Sequence, residues 1–294
     1  MKEFLDIEIN QRDERECLNR MYQYIREKTS VEPKLGIVLG SGLNNCLNDI
    51  LIKYSFEFCD IPYFPKSTIQ EHKGRLCIGI IGGQNIVIVQ GRVHYYEGYT
   101  MTEVVRPIRL LKMLGVKTLI LTNSAGAINQ SLNVGDIVAI NNHIASFVPN
   151  PLRGKNVELM GPRFPDMSDI YNDGLVKLAH EIGKKVGIQV KDGVYLQTSG
   201  PCFESAAEIR MYKVLGADLV GMSTACESIA AIHAGMKVTA ISIVSNMACG
   251  LSERKLSMEE VIVNSGKREQ IYKDFFIQYI NEILREIESE NEVL

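Results

Sequence analysis

The chain has 294 residues, 46% of them hydrophobic and 23% charged, with a formal net charge of −3. That suits one large α/β domain or two small ones with an ample core, and the lack of a basic cluster excludes a nucleic-acid footprint. The seven cysteines, at 17, 46, 59, 77, 202, 226 and 249, are odd in number and scattered, with no C-x-x-C. This argues for reduced thiols in a cytosolic setting and against a disulfide framework or zinc site.

The five histidines show no metal spacing, so no metal is expected. The opening stretch MKEFLDIEINQRDERE is too charged for a signal peptide, and no apolar run is long enough to span a bilayer. Arg12 to Lys28 predicts an amphipathic helix with Cys17, Leu18, Met21, Tyr22 and Ile25 on one side, so that residues 1–34 form a helical lead-in. Leu35 to Leu39 reads as a buried strand running into Gly40-Ser41-Gly42-Leu43. Backbone N–H groups and a small hydroxyl at such a strand end make an oxyanion cradle; a plain tight turn is the alternative. No Gly-Lys-Ser/Thr follows, and Asn45 stands where a dinucleotide fingerprint needs its third glycine.

Asp60 to Arg75 carries turn chemistry and places His72 on a loop, where a lone histidine is more often exposed than liganding. Leu76–Ile81 and Ile86–Val89 predict two strands joined at Gly82-Gly83. The second begins IVIVQGRVHYYEGY, and its four β-branched residues suit a strand buried on both faces. Arg92, His94 and Tyr96 follow at spacing two, so an extended chain aims a cation, an imidazole and a phenol the same way, beyond a strand end where ligands bind in α/β sheets. An anion is the natural ligand for the first two.

Met101–Leu114 is helical in pattern, with Pro107 either kinking it or marking its true start. Val116–Leu121 predicts a strand that gives way to a small-residue turn, Thr122 to Ala127. Asp136–Ile140 is a strand, and Asn141–Asp169 a long irregular segment with four prolines, of the kind that is usually functional or interfacial. Asp173–Val186 predicts a helix and Gly193–Gln197 a strand. Ser205 and Glu208 match a capping box opening a helix, which leaves Glu204 without a structural task. Ala217–Val220 is a strand followed by a small-residue helix to His233, and Val238–Val244 a strand ending at Ser245-Asn246. Residues 257–294 read as a charged C-terminal helix. Strands and helices alternate with no repeat or linker, which implies a single α/β domain over residues 1–294 around a parallel or mixed sheet. Five strand ends break into small or polar residues (Gly40-Ser41, Gly91-Arg92, Asn123-Ser124, Gly221-Met222-Ser223, Ser245-Asn246), which suggests one shared pocket rich in hydroxyl and N–H donors.

The ordered set GSGL, EHKGR, QGRVHYYEGY, TNSAGAIN, PRFPDMSD, GPCFES, GADLVGMST and SNMACG resembles the trimeric purine nucleoside phosphorylases, over nearly the whole chain from Leu35 onward. The resemblance implies a mixed β-sheet partly closed into a barrel and flanked by helices. It implies a cytoplasmic homotrimer that uses phosphate to cleave 6-oxopurine nucleosides reversibly to base and ribose 1-phosphate, with no cofactor. By position, Ser41, His72, Arg92, His94, Ser124 and Ser223 would hold phosphate. Tyr96 and Met222 would line the ribose, with Phe164 reaching in from a neighbouring subunit. Phe203, Glu204, Val220 and Asn246 would surround the purine, and His94, Glu204 and Asn246 would serve catalysis. Two positions depart from some family members. Met258 stands where a histidine can contact the 5′-hydroxyl, and Met247 where a lysine can follow the asparagine.

Three rival readings stand beside this one. A methylthioadenosine phosphorylase of the same fold would need an acceptor, typically Asp, in place of Asn246. A non-catalytic purine or phosphate sensor would have no need of His94 paired with Glu97. A nucleotide enzyme on a Rossmann sheet is opposed by the missing third glycine.

Overall fold

The computed structural model describes residues 13–40, 50–69, 73–251 and 269–292. Ser41 and His72 of the expected cradle, and Met258, lie outside these residues. Nine strands form one mixed sheet: β1 (Leu35–Leu39), β2 (Leu51–Glu57), β3 (Arg75–Ile81), β4 (Gln84–Gln90), β5 (Thr118–Ala127), β6 (Ile137–Ile144), β7 (Val190–Gln197), β8 (Leu219–Gly221) and β9 (Lys237–Met247). Their order is β2-β3-β4-β1-β5-β8-β7-β6-β9, and β9 also pairs with β5. That last pairing closes β5, β8, β7, β6 and β9 into a five-stranded barrel, with β1, β4, β3 and β2 extending from it as an open wing.

The apolar runs explain the layering. In β4, Ile86 and Ile88 join one buried cluster while Val87 and Val89 join another on the opposite face. β1 divides likewise, with Leu35, Ile37 and Leu39 on one side and Val38 on the other. Period-two side chains with no polar face need cover on both sides. On one face lie α4 (Asp173–Lys185) and α7 (Glu269–Glu292), which contribute Leu178, Ile182, Phe275 and Tyr279. On the other lie α1 (Glu14–Arg26), α2 (Met101–Val104), α3 (Arg106–Met113) and α6 (Ala225–His233). α5 (Ala206–Val214) packs beside the barrel through Ile209 and Tyr212.

Local signals fix most boundaries. Ser205 Oγ accepts from Glu208 N while the Glu208 carboxylate accepts from Ser205 N, the reciprocal cap the sequence predicts. Pro107 sits at the start of α3, and the chain breaks at Val105 into two helices rather than one kinked helix. Gly82 and Gly83 turn the β3–β4 hairpin at positive φ.

The expectations for Thr122–Ala127 and Ser245-Asn246 need correction, and β2 was not expected. Thr122 to Ala127 is not a turn: β5 continues through it, because β9 pairs with β5 along its whole length. For the same reason Ser245 and Asn246 lie inside β9, not beyond it. A register shift at Ala125/Gly126 bends the pair here, so small residues mark a bulged strand and not a strand end. β2 follows no strand signal singled out in the sequence. It is an edge strand with mostly exposed side chains, so its pattern carries little apolar periodicity.

Candidate active site

The ends of β4, β5, β8 and β9 and the loop after β7 meet in one cleft. It is lined by Arg92, His94, Tyr96, Ser124, Phe203, Glu204, Val220, Met222, Ser223 and Asn246, together with Asn123, Gly126, Gly221, Ser245 and Ala248. Every expected site residue among the described ones is therefore brought to this cleft except Phe164. That ring is 87% exposed beside Arg163 and does not line the cleft of its own chain.

One end of the cleft is ionic. β4 stops at Gln90, and Tyr95–Glu97 forms a single 3₁₀ turn, so the extended run imagined from spacing two ends at His94. The three side chains still converge, with the His94 and Tyr96 rings stacked 4.8 Å apart. Glu97 organises the turn. Its Oε1 accepts from His94 N at 2.7 Å and faces His94 Nδ1 at 3.2 Å, while Oε2 accepts from the Thr68 amide and hydroxyl at 2.6 and 2.7 Å. Burial pushes the Glu97 carboxyl up, but the bonds from His94 and Thr68 outweigh it and hold it at about 2. A permanently ionised acceptor fixes the proton on Nδ1 and leaves Nε2 as the nitrogen able to take another. Arg92 is 5% exposed; Nη1 donates to Thr122 O at 2.7 Å and Nε to Glu227 Oε1 at 3.0 Å.

Ser223 is aimed by an unusual turn. Thr224 has φ 73° and ψ −55°, and Ala225 N donates to Ser223 O at 2.8 Å, closing a three-residue γ-turn. A β-branched residue at positive φ costs about 1–3 kcal/mol and persists only when over-determined. Here Asn123 Nδ2 donates to Thr224 Oγ1, Ser228 N donates to Thr224 O, and the residue is fully buried. The turn starts α6 and presents Ser223 to the cleft, with Ser223 N donating to Tyr195 Oη. Burial raises the Tyr195 phenol above its ordinary value.

The other end is built from neutral hydrogen-bonding groups and one carboxylate. Gly126 of β5 pairs with Val220 of β8 and with Asn246 of β9, so the strand pairing itself places the last two together. Asn246 Nδ2 donates to Met247 O at 3.1 Å and Oδ1 accepts from Ser245 Oγ at 2.8 Å. A carbonyl can only accept, so the amide is fixed with its nitrogen toward Met247; on sequence grounds it could have turned either way. Glu204 Oε1 accepts from Thr198 Oγ1 at 2.9 Å, and burial raises its carboxyl above the ordinary range. Between the two ends, Gly200 backs the floor: a Cβ there would lie 2.5 Å from Met222 Sδ and 2.7 Å from Tyr96, and its φ of 64° also disfavours a side chain.

Sequence reasoning missed Thr198, Thr68 and Glu227. The first two are loop hydroxyls with no distinguishing neighbours, and Glu227 hides within a small-residue helix. Among the described residues no three His, Cys, Asp or Glu side chains are grouped to hold a metal.

A sequence-family model of the Phosphorylase superfamily matches residues 34–281. Purine nucleoside phosphorylase 1 of Geobacillus stearothermophilus is 42% identical, covering 92% of this chain and 97% of the relative. Purine nucleoside phosphorylase of Bos taurus is 41% identical over 84% of this chain and 87% of its own. Among solved structures, Schistosoma mansoni purine nucleoside phosphorylase in complex with adenosine superposes with a TM-score of 0.85 at 38% identity. The match covers 90% of this chain and 96% of that one. The same organism's enzyme in complex with inosine gives 0.83 at 37% identity, covering 90% and 95%. A five-stranded mixed barrel, a two-ended cleft and likeness of this depth along the whole fold give one result: the chain belongs to the phosphorylase superfamily and, within it, to the purine nucleoside phosphorylases.

Proposed function

We infer that the protein catalyses reversible phosphorolysis of 6-oxopurine nucleosides. The observation that carries this reading is the polarity of one cleft: His94 on Glu97, Arg92 and Ser223 at one end, Glu204 and a fixed Asn246 amide at the other. The reaction joins a phosphate oxygen to C1′ and breaks the C1′–N9 bond, whose electron pair leaves with the base. No covalent enzyme intermediate is required. The protein's tasks are to hold phosphate beside C1′ and to stabilise the charge leaving with the purine.

Arg92, Ser124 and Ser223 supply donors to phosphate, with Ser41 and His72 assigned by the family resemblance alone. His94 Nε2 takes a hydrogen bond or proton from phosphate, since Glu97 secures the opposite nitrogen. Tyr96 and Met222 border the sugar, and Phe203 and Val220 the base. Glu204 accepts from N1–H. Asn246 donates its remaining N–H to O6 and accepts from a protonated N7, neutralising the leaving base. The reaction requires no cofactor in this reading; phosphate is a co-substrate.

A homotrimer fits this reading. Phe164 is 87% exposed in the single subunit, on the loop where the family resemblance puts a residue that reaches a neighbouring site. In the trimer Phe164 covers a neighbour's ribose. Among the described residues no helix is long and apolar enough to cross a membrane, and a cytoplasmic place in purine salvage agrees with seven scattered cysteines. A methylthioadenosine phosphorylase is disfavoured because the fixed Asn246 amide presents an N–H where a 6-amino group needs only acceptors. The test is base release from inosine, guanosine, adenosine and methylthioadenosine. Inosine and guanosine should be cleaved and the other two nearly inert; preferential cleavage of methylthioadenosine would replace this reading with its rival.

A further inference from the structure

Glu227 does not line the cleft. It leaves the first turn of α6 for an apolar enclosure behind Arg92, shared with Val38, Phe58, Phe64, Val93 and Ile108. Its side chain and that of Arg92 are each 4% exposed, and the two form an ion pair at 3.0 Å. Glu227 Oε2 has no hydrogen-bond partner among the described residues. An acidic residue in a first helical turn gains from the helix dipole, but that gain needs no burial. Removing a carboxylate from water into apolar surroundings is costly unless a cation answers it. The burial of Glu227 is therefore explained by Arg92, and Arg92 is the side chain that reaches the cleft wall.

We propose that Glu227 is a positioning residue for phosphate: it holds the Arg92 guanidinium at the cleft wall and is the internal counter-ion with which phosphate competes for that charge. The inference rests on the phosphorolysis reading, which makes Arg92 a phosphate ligand. Two sides of the guanidinium are fixed, Nε by Glu227 and Nη1 by Thr122 O. This sets the plane of the fork from behind. It also moderates the cation, since a guanidinium already compensated attracts a phosphate dianion less than an uncompensated one.

The consequence has a sign that a merely fold-stabilising role does not share. Glu227→Gln keeps the acceptor and the shape but deletes the charge. Without phosphate the buried guanidinium loses its counter-charge and Tm falls; with phosphate the anion supplies it. The phosphate-induced rise in Tm should exceed the wild-type rise, and KM for phosphate should fall about three- to tenfold. KM for inosine should stay within about twofold. Glu227→Asp keeps the charge but withdraws it by one methylene, dragging the guanidinium back; kcat should fall about tenfold and KM for phosphate should rise.

The experiment measures phosphate and inosine KM, kcat, and Tm against inorganic phosphate for wild type and both variants. A Glu227→Gln protein whose phosphate KM and phosphate-induced Tm rise equal those of wild type overturns the proposal. If that variant does not fold, an Asp variant with unchanged kcat and phosphate KM overturns it. The wild-type control separates the two layers. Inosine cleavage that ignores phosphate in wild type refutes phosphorolysis itself, whereas a phosphate-dependent wild type with indifferent variants refutes only the role of Glu227.

Discussion

The two ends of the cleft solve opposite problems. At the end we assign to phosphate, the Arg92 cation is answered by Glu227, and the Glu97 carboxylate is held by His94 and Thr68. At the end we assign to the base, it uses an amide held by the neighbouring backbone carbonyl and one carboxylate held by a threonine hydroxyl. The ionic end can be strong because its partners are fixed before phosphate arrives. The other end can be selective because a mismatched base would leave buried donors or acceptors unpaired. If this division is right, substitutions at the two ends should move different kinetic parameters.

The largest effect belongs to the base end. Inosine should exceed adenosine in kcat/KM by about 10⁴–10⁵, the discrimination open to a site built on paired hydrogen bonds. Asn246→Asp removes the donor to O6 and repels that oxygen, yet can accept from a 6-amino group and from N7–H. The variant should lose most inosine activity and gain relatively on adenosine, with phosphate KM nearly unchanged. An inosine-to-adenosine ratio that does not move would remove Asn246 from the base.

Next comes Arg92→Ala. Losing a charge-assisted bond in a dry site costs about 2–4 kcal/mol, or some 30- to 1,000-fold in kcat/KM. Steady-state assays should show the loss chiefly against phosphate. A loss confined to nucleoside KM would mean that the ends are not separable in this way.

Much of this division was legible in the residues. The continuous β-branched run opening IVIVQGRVHYYEGY announced a doubly covered strand with a cation and an imidazole at its end, and the Ser205 cap freed Glu204 for another role. What the sequence hid was tertiary. Small residues at Thr122–Ala127 and Ser245-Asn246 look like turns, yet β5 and β9 support each other's extension through them. Glu227 and Thr224 reveal themselves only once α6 is packed behind Arg92. The orientation of the Asn246 amide depends on a backbone carbonyl one residue away, which no side-chain pattern encodes.

Smaller effects concern the titrating groups. The Glu97 carboxyl is lowered on folding to about 2 from 4.5, so its stabilisation is complete above the unfolded value and is lost as pH falls toward the folded one. The Tm difference between wild type and Glu97→Gln should be constant from pH 6 upward and shrink as pH falls below about 4.5; a difference that grows in acid would contradict the His94–Glu97 geometry. Glu204 is shifted the other way, raised by burial. Its carboxylate should protonate above the ordinary range, so KM for inosine should begin to climb at a mildly acidic pH that leaves KM for phosphate less affected.

In phosphorolysis it is phosphate, not water, that takes the sugar. This is tested most directly by following inosine cleavage while phosphate is varied, measuring hypoxanthine and ribose 1-phosphate together. The rate should saturate with phosphate, fall to near zero without it, and yield one ribose 1-phosphate for each hypoxanthine. Hypoxanthine released equally fast in phosphate-free buffer, with free ribose as the second product, would contradict it.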